Sequence, residues 1–462
     1  MSVQPAGSEP IPLFIKPPKV YPRETSGRFA RLRLIAAWVL LGLFYVLPWI
    51  NWGGTQVVLF DLPGRQFHFF GITLWPQDLF ILSLLLAMAA LALFFFTALA
   101  GRLWCGYACP QTVWTETFLW MERVTEGSRN KRIKLDKGPW TREKLARKSA
   151  KQFLWIAFAL WTGFTFVGFF VPIRELGPRV LSFDLGGWEA FWMLFYGFAT
   201  YGNAGYLREQ VCKYMCPYAR FQAAMFDDNS LIIAYDEARG EPRGGRRRDA
   251  DPAALGLGDC IDCMACVHVC PTGIDIRDGL QIECIACAAC VDVCDQVMDK
   301  MGYPRGLVRY TTDNAVQGKP TRILRPRLWI YFFALLALAT LIGAILTGRE
   351  PLLADVHRDR TALYRVVGAE LENAYSLRLT NRSDAPLTVA IDAHGLDGLR
   401  VIEPTEPVQV QPGQTADVAL TVSVPLLASD PGMWPMTISV NMPDVDRLVS
   451  VETRFYIPLN PD

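Results

Sequence analysis

The sequence predicts a multi-domain membrane protein: an α-helical bundle of five transmembrane helices, a cysteine-rich α+β module inserted ahead of the fifth, and a C-terminal β-sandwich. Three observations predict it. Of 462 residues 51% are hydrophobic and the mean hydropathy is above zero, which argues against an ordinary soluble domain and against disorder. Five apolar stretches recur with polar loops between them. All twelve cysteines fall in four short clusters, none beyond Cys294, a pattern of metal or redox chemistry rather than of a secreted disulfide framework. The balance of 46 Lys+Arg against 45 Asp+Glu gives no reason to expect a nucleic-acid partner.

A helix needs about 20 mainly apolar residues to cross the lipid bilayer. Leu34–Ile50 is short and meets Pro48, whereas Leu79–Ala100, Phe153–Ile173 and Leu328–Thr347 carry no charge. Trp188–Leu207 is weaker, with Glu189, Asn203 and several glycines. The polar, proline-rich first thirty residues lack a cleavable-signal pattern, so the first span is expected to stay as an anchor. Trp38, Trp49, Trp188 and Trp329 near span ends read as an interfacial belt.

Flanking Lys and Arg set the orientation. Segment 1–33 holds Lys16, Lys19, Arg23, Arg28, Arg31 and Arg33, and the loop 101–152 holds twelve basic residues. The loop 51–78 has only Arg65, and the loop 174–187 only Arg174 and Arg179. The N-terminus, the loop 101–152 and residues 208–327 are therefore expected in the cytoplasm. Four helices occupy 34–207, the fifth 328–347, and the tail 348–462, with nine Arg against sixteen acidic residues, lies outside. In that tail Tyr375–Leu379, Leu387–Ile391, Val408–Val410, Ala416–Val424 and Met436–Met442 alternate or are β-branched, between Pro, Gly, Asn and Asp. This rhythm suits an immunoglobulin-like sandwich without the cysteine pair of antibody domains.

The strongest motif is Cys260-x-x-Cys263-x-x-Cys266-x-x-x-Cys270-Pro271 followed by Cys284-x-x-Cys287-x-x-Cys290-x-x-x-Cys294. It is the spacing of a double-cluster ferredoxin-like module, here 255–300, in which the fourth Cys of each run ligates the other 4Fe–4S cluster. One cluster takes Cys260, Cys263, Cys266 and Cys294; the other takes Cys284, Cys287, Cys290 and Cys270. Asp295 replaces the usual second Pro, which alters a turn and not ligation. A pair of zinc sites is the weaker alternative. His268 reads as a packing residue. No His lies inside a span, so no transmembrane bis-histidine haem is expected.

The other four cysteines form an internal repeat. Cys105-Gly-Tyr-Ala-Cys109-Pro110 follows the second span and Cys212-Lys-Tyr-Met-Cys216-Pro217 the fourth, both reading C-x-Y-x-C-P. Pro suits the first turn of a helix, so each motif marks a break before a surface helix. The first such helix carries Val113, Trp114, Phe118 and Met121 on one side, suited to the membrane interface. The four thiols can hold a soft ion such as Cu(I), cycle between dithiol and disulfide, or bind a third cluster. Bland readings cover the rest. Met215, Met433, Met436 and Met442 pack, Glu116 and Glu122 lie on a solvated helix face, and Gly244–Arg248 is a solvated basic loop.

The order of spans, CGYACP, CKYMCP, the doubled run and the β-rich tail together resemble the FixG/RdxA/CcoG family of cytochrome c oxidase accessory proteins, over nearly the whole chain. The resemblance implies a bacterial inner-membrane protein that assists assembly of the cbb-type haem–copper oxidase by reducing Cu(II) to Cu(I). Copper is then the substrate, oxidase assembly factors or a copper chaperone are the partners, and the tail is a periplasmic Ig-like domain. On this reading Cys105, Cys109, Cys212 and Cys216 are the catalytic copper site, fed through the ferredoxin module by an unnamed donor. The paired C-x-x-x-C-P also resembles the membrane polyferredoxins NapH and NosR, which implies quinol-linked electron transfer to another enzyme. A non-catalytic scaffold docking through its tail is the further alternative, and a homodimer stays open.

Overall fold

The computed structural model describes residues 19–52, 54–252, 254–359, 363–383, 385–426 and 430–459. Expectations on residues 1–18, Lys16 and the uncleaved start among them, lie outside the described residues. The chain forms two compact units, one of Met1–Trp49 with Met88–Leu336, the other of Ile50–Ala87 with Ala337–Asp462.

Four described helices are long and apolar enough to cross a membrane: Arg28–Trp49, Leu79–Ala100, Arg142–Val167 and Pro326–Thr347. The first and third start well before their apolar stretches, because Arg, Lys, Glu and Ala continue a helix that hydropathy alone cuts short. The third ends at Val167 rather than Ile173, where a turn leads into the short helix Ile173–Leu181. The expected fourth span is not one α-helix. Gly187–Thr200 is α-helical, and Tyr201–Leu207 continues as a π-helix where Gly202, Asn203 and Gly205 weaken the α ladder.

In the first unit the helix Pro110–Glu126 begins with Pro at its first position, and the apolar side expected at the membrane interface turns into the protein. Val113, Phe118 and Met121 are buried. Phe118 stacks 5.3 Å from Trp155 of the helix Arg142–Val167, and Trp114 packs 5.3 Å from Phe44 of the first helix. The expectation for Glu122 is also corrected. Its side chain is 2% exposed and pairs with Arg132 at 2.9 Å and Arg208 at 3.2 Å, while Glu116 stays half-exposed near Arg123. Burial by itself raises the Glu122 pKa, but Arg208, Lys151, Lys19 and Arg132 outweigh it and hold the carboxyl below its usual range. A face that carries glutamate reads as solvated until distant cations fold onto it.

The cysteine-rich module is closed by an antiparallel pair, Ile232–Tyr235 with Val308–Thr311, around the helices Ala265–Val269 and Ala289–Met301. Its long helix also caps the first membrane helix. Asp292, between Cys290 and Cys294, accepts from Phe29 N at 3.2 Å and Ala30 N at 2.7 Å. A carboxylate there satisfies free N–H groups and the positive end of the helix dipole.

The second unit holds two antiparallel sheets packed as a sandwich. One runs Arg400–Glu403, Thr415–Pro425, Glu370–Asn381, Leu352–Arg358, with Arg365–Val367 also on Glu370–Asn381; the other runs Val408–Val410, Leu387–His394, Gly432–Met442, Arg447–Ile457. Leu377, Leu379, Val389, Leu420, Val422, Ile438, Val440 and Phe455 fill the space between the sheets with no exposed area. Met436 and Met442 join that core, whereas Met433 at a strand end is exposed, because its side points out of the pleat. The loop 51–78 folds as a three-stranded meander, Val58–Asp61, Gln66–Phe69 and Ile72–Leu74, and belongs to the same unit as the tail. Asp78 is its anchor, ion-paired with Arg349 and Arg382. Trp75 packs on Gly413, whose φ of +67° and lack of a side chain both matter: a Cβ there would meet the indole at 1.6 Å.

Candidate metal centres

Each cysteine run wraps through the same backbone device. Asp262 and Met264 in the first run, and Ala286 and Ala288 in the second, all hold positive φ between 50° and 57°. Left-handed non-glycine residues are strained and turn successive N–H groups toward one concave side, the geometry that receives anions and Fe–S clusters. In the second run Ala286 N points at Cys284 Sγ from 3.4 Å. A helix begins directly after the second strained residue of each run, at Ala265 and Ala289.

The cysteines surround two small cavities. Cys260, Cys263, Cys266 and Cys294 line the first, with Tyr235, Met298 and Leu307. Cys270, Cys284, Cys287 and Cys290 line the second, with Ile233, Ile274 and Ile276, and Cys266 lines both. Cys294 and Cys270 thus each reach the cavity of the other run. Burial drives the thiol pKa up, to about 11 at Cys266 and about 12 at Cys284 and Cys294, with neighbouring thiols adding to it. Such thiols become ligands when a metal displaces their protons. Eight soft donors, apolar walls and N–H groups turned inward fit two 4Fe–4S clusters.

The second cysteine set is built on two helix starts. Cys109 caps Pro110–Glu126 and Cys216 caps Pro217–Met225. Cys105 lies on the short helix Leu103–Tyr107, while Cys212 lies on a π-turn, Val211–Met215, so one motif adopts two backbone forms. The thiols of the two motifs lie within reach of one another's charge. Cys105 feels Cys109 and Cys212, and Cys212 feels Cys109 and Cys216; burial first and these neighbours second push Cys105 to about 12 and Cys212 to about 11. Cys105 Sγ donates to Oε1 of the fully buried Gln222 at 3.4 Å. Among the described residues no three His, Cys, Asp or Glu side chains converge on one ion.

The two sets meet directly. A Cβ on Gly106, inside CGYAC, would stand 2.8 Å from the Ile285 carbonyl and 3.0 Å from that of Ala286, so glycine there lets the motif sit against the second run. Tyr107 and Tyr310 hydroxyls lie 3.5 Å apart, and Tyr310 donates to the Ala286 carbonyl. A cleft lined by Glu116, Glu209, Arg33, Arg208, Thr272 and Ile285 reaches Cys212. Met215, expected to pack, is exposed because the π-turn directs it outward. His268 is half-buried, and its carbonyl accepts from Arg23 N at 2.7 Å. The basic run is not all solvated: Arg246 donates to the Tyr303 hydroxyl at 3.0 Å and contacts the Cys260 carbonyl. Sequence reasoning missed Arg102, Gly106, Gln222 and Asp292, whose signal was at most their place inside or beside the cysteine motifs.

Comparison with known proteins bears on these centres. Residues 207–313 match a "4Fe-4S dicluster domain", residues 81–129 a "4Fe-4S binding domain", and residues 342–458 the "IG-like fold at C-terminal of FixG, putative oxidoreductase". The nitrogen fixation protein FixG of Rhizobium meliloti is 38% identical over 87% of this chain and 86% of its own length. Protein RdxB of Cereibacter sphaeroides is 40% identical over 83% of this chain and 86% of its own, and protein RdxA of the same organism 39% identical over 84% and 85%. With paired 4Fe–4S cavities, apolar membrane-length helices and an Ig-like tail in one chain, this protein belongs to the FixG family, an iron–sulfur oxidoreductase family.

Proposed function

We propose that the protein reduces Cu(II) to Cu(I) at Cys105, Cys109, Cys212 and Cys216, for insertion into a cbb-type oxidase. The observation that carries this reading is the contact of CGYAC with the second cysteine run at Gly106. Cys260, Cys263, Cys266 and Cys294 would hold one 4Fe–4S cluster, and Cys284, Cys287, Cys290 and Cys270 the other. Bound clusters supply single electrons. The four thiols take up Cu(II) as substrate, and their soft donors favour Cu(I), so one electron gained per ion leaves the thiols chemically unchanged. The approach to Cys212 is lined by Glu116 and Glu209 together with Arg33 and Arg208, so both charge signs border it. The assembly role rests on the family resemblance. Cytoplasmic placement of the N-terminal segment, the loop 101–152 and residues 208–327 rests on their Lys and Arg, and periplasmic placement of the tail is supported by its sharing a unit with the poorly basic loop 51–78.

A second reading has its own support. The "4Fe-4S binding domain" match spans Cys105 and Cys109, so iron is the rival occupant at that pair. Anaerobically reduced full-length protein, given Cu(II) and a Cu(I)-specific chelator, is expected to release Cu(I) in step with reoxidation. Clusters that stay reduced beside Cu(II) but reoxidise with a quinone analogue would contradict cupric reduction and favour the quinol-linked alternative.

A further inference from the structure

Arg102 follows the second membrane helix and is 5% exposed. Its guanidinium donates to the carbonyls of Ile282 and Cys284, the latter at 2.7 Å, and to that of Ala219 at 3.4 Å. Those acceptors belong to the second cysteine run and to the helix after CKYMCP. The guanidinium also stands 5.6 Å over the Phe226 ring. Its Nε is buried and has no hydrogen-bond partner among the described residues. A buried cation needs compensating anions, and its hydrogen-bond acceptors are all neutral carbonyls. Through these acceptors the one buried guanidinium ties the second cysteine run, at the Cys284 carbonyl, to the helix after CKYMCP, at the Ala219 carbonyl.

We propose that Arg102 is a positioning residue that couples the two cysteine centres: it clamps the second run against the CKYMCP helix and its charge favours the electron-rich state of the cluster held through Cys284. A fixed positive charge beside a cluster raises its reduction potential, because reduction adds negative charge there. This rests on Cys284 being a cluster ligand and needs no copper. The test is an EPR redox titration of full-length, anaerobically purified Arg102→Gln and Arg102→Lys, with iron counted in each. At wild-type iron content, the Gln variant is expected to titrate at a more negative potential in the signal that Cys284→Ser removes, and the Lys variant close to wild type. An unshifted Gln variant overturns the proposal, and so does a Lys variant shifted as far as Gln. If the Gln variant loses iron, the Lys variant decides: iron retained at an unshifted potential supports the role of charge, and iron lost from it also contradicts that role. A Cys284→Ser protein with full iron defeats the ligand assignment itself, separately from Arg102.

Discussion

Replacing Cys105 and Cys109 together by Ala is expected to lower cupric reduction more than about tenfold, the scale on which even outer partners of a metal site are felt. Iron content stays at the wild-type level. The two effects separate because Cys105 and Cys109 line neither ferredoxin cavity. Cys109 contributes its sulfur at the start of Pro110–Glu126, and Ala keeps that helix and its Pro at the first position. Cys105 loses one long hydrogen bond to Gln222, whose amide still reaches the Gly101 carbonyl at 3.3 Å. Loss of activity with iron intact therefore reports on chemistry at the thiols and not on folding. Unchanged activity would remove these residues from the reaction.

Cys270→Ser has the second large effect, and it crosses between the runs. Although Cys270 ends the first run, it lines the cavity of Cys284, Cys287 and Cys290. Its loss is expected to reduce iron from about eight to about four per chain, leaving the same EPR signal that Cys284→Ser leaves. Cys294→Ser is expected to remove the complementary signal, since Cys294 lines the cavity of Cys260, Cys263 and Cys266. If Cys270→Ser and Cys260→Ser removed the same signal, each run would hold its own cluster and the crossover would be wrong. Iron in the surviving cluster distinguishes this from general unfolding, because loss of a metal site is felt as folding energy.

What was legible in the sequence was local. Ligand spacing, apolar runs and proline helix starts are properties of a few consecutive residues, so the cysteine sets and the membrane helices could be read from them. What was hidden depends on distant partners. Glu122 is buried only because Arg132, Lys151 and Arg208 arrive from three other segments. Arg102 reads as one more positive flank until the second cysteine run folds over it. In the tail Leu352–Arg358 and Arg447–Ile457 escaped notice because their outward residues include Asp, Glu and Arg, and the apolar alternation is thin. The π-helix at Tyr201–Leu207 and the π-turn at Val211–Met215 follow from packing that no periodicity records.

The central claim is that Cys105, Cys109, Cys212 and Cys216 form a copper site beside two cubanes. Counting iron and copper per chain in anaerobically purified full-length protein exposed to copper, with EPR on the same sample, tests it most directly. About eight irons and about one copper, the copper lost in the Cys105→Ala, Cys109→Ala protein, is the predicted result; about twelve irons with no copper would contradict it.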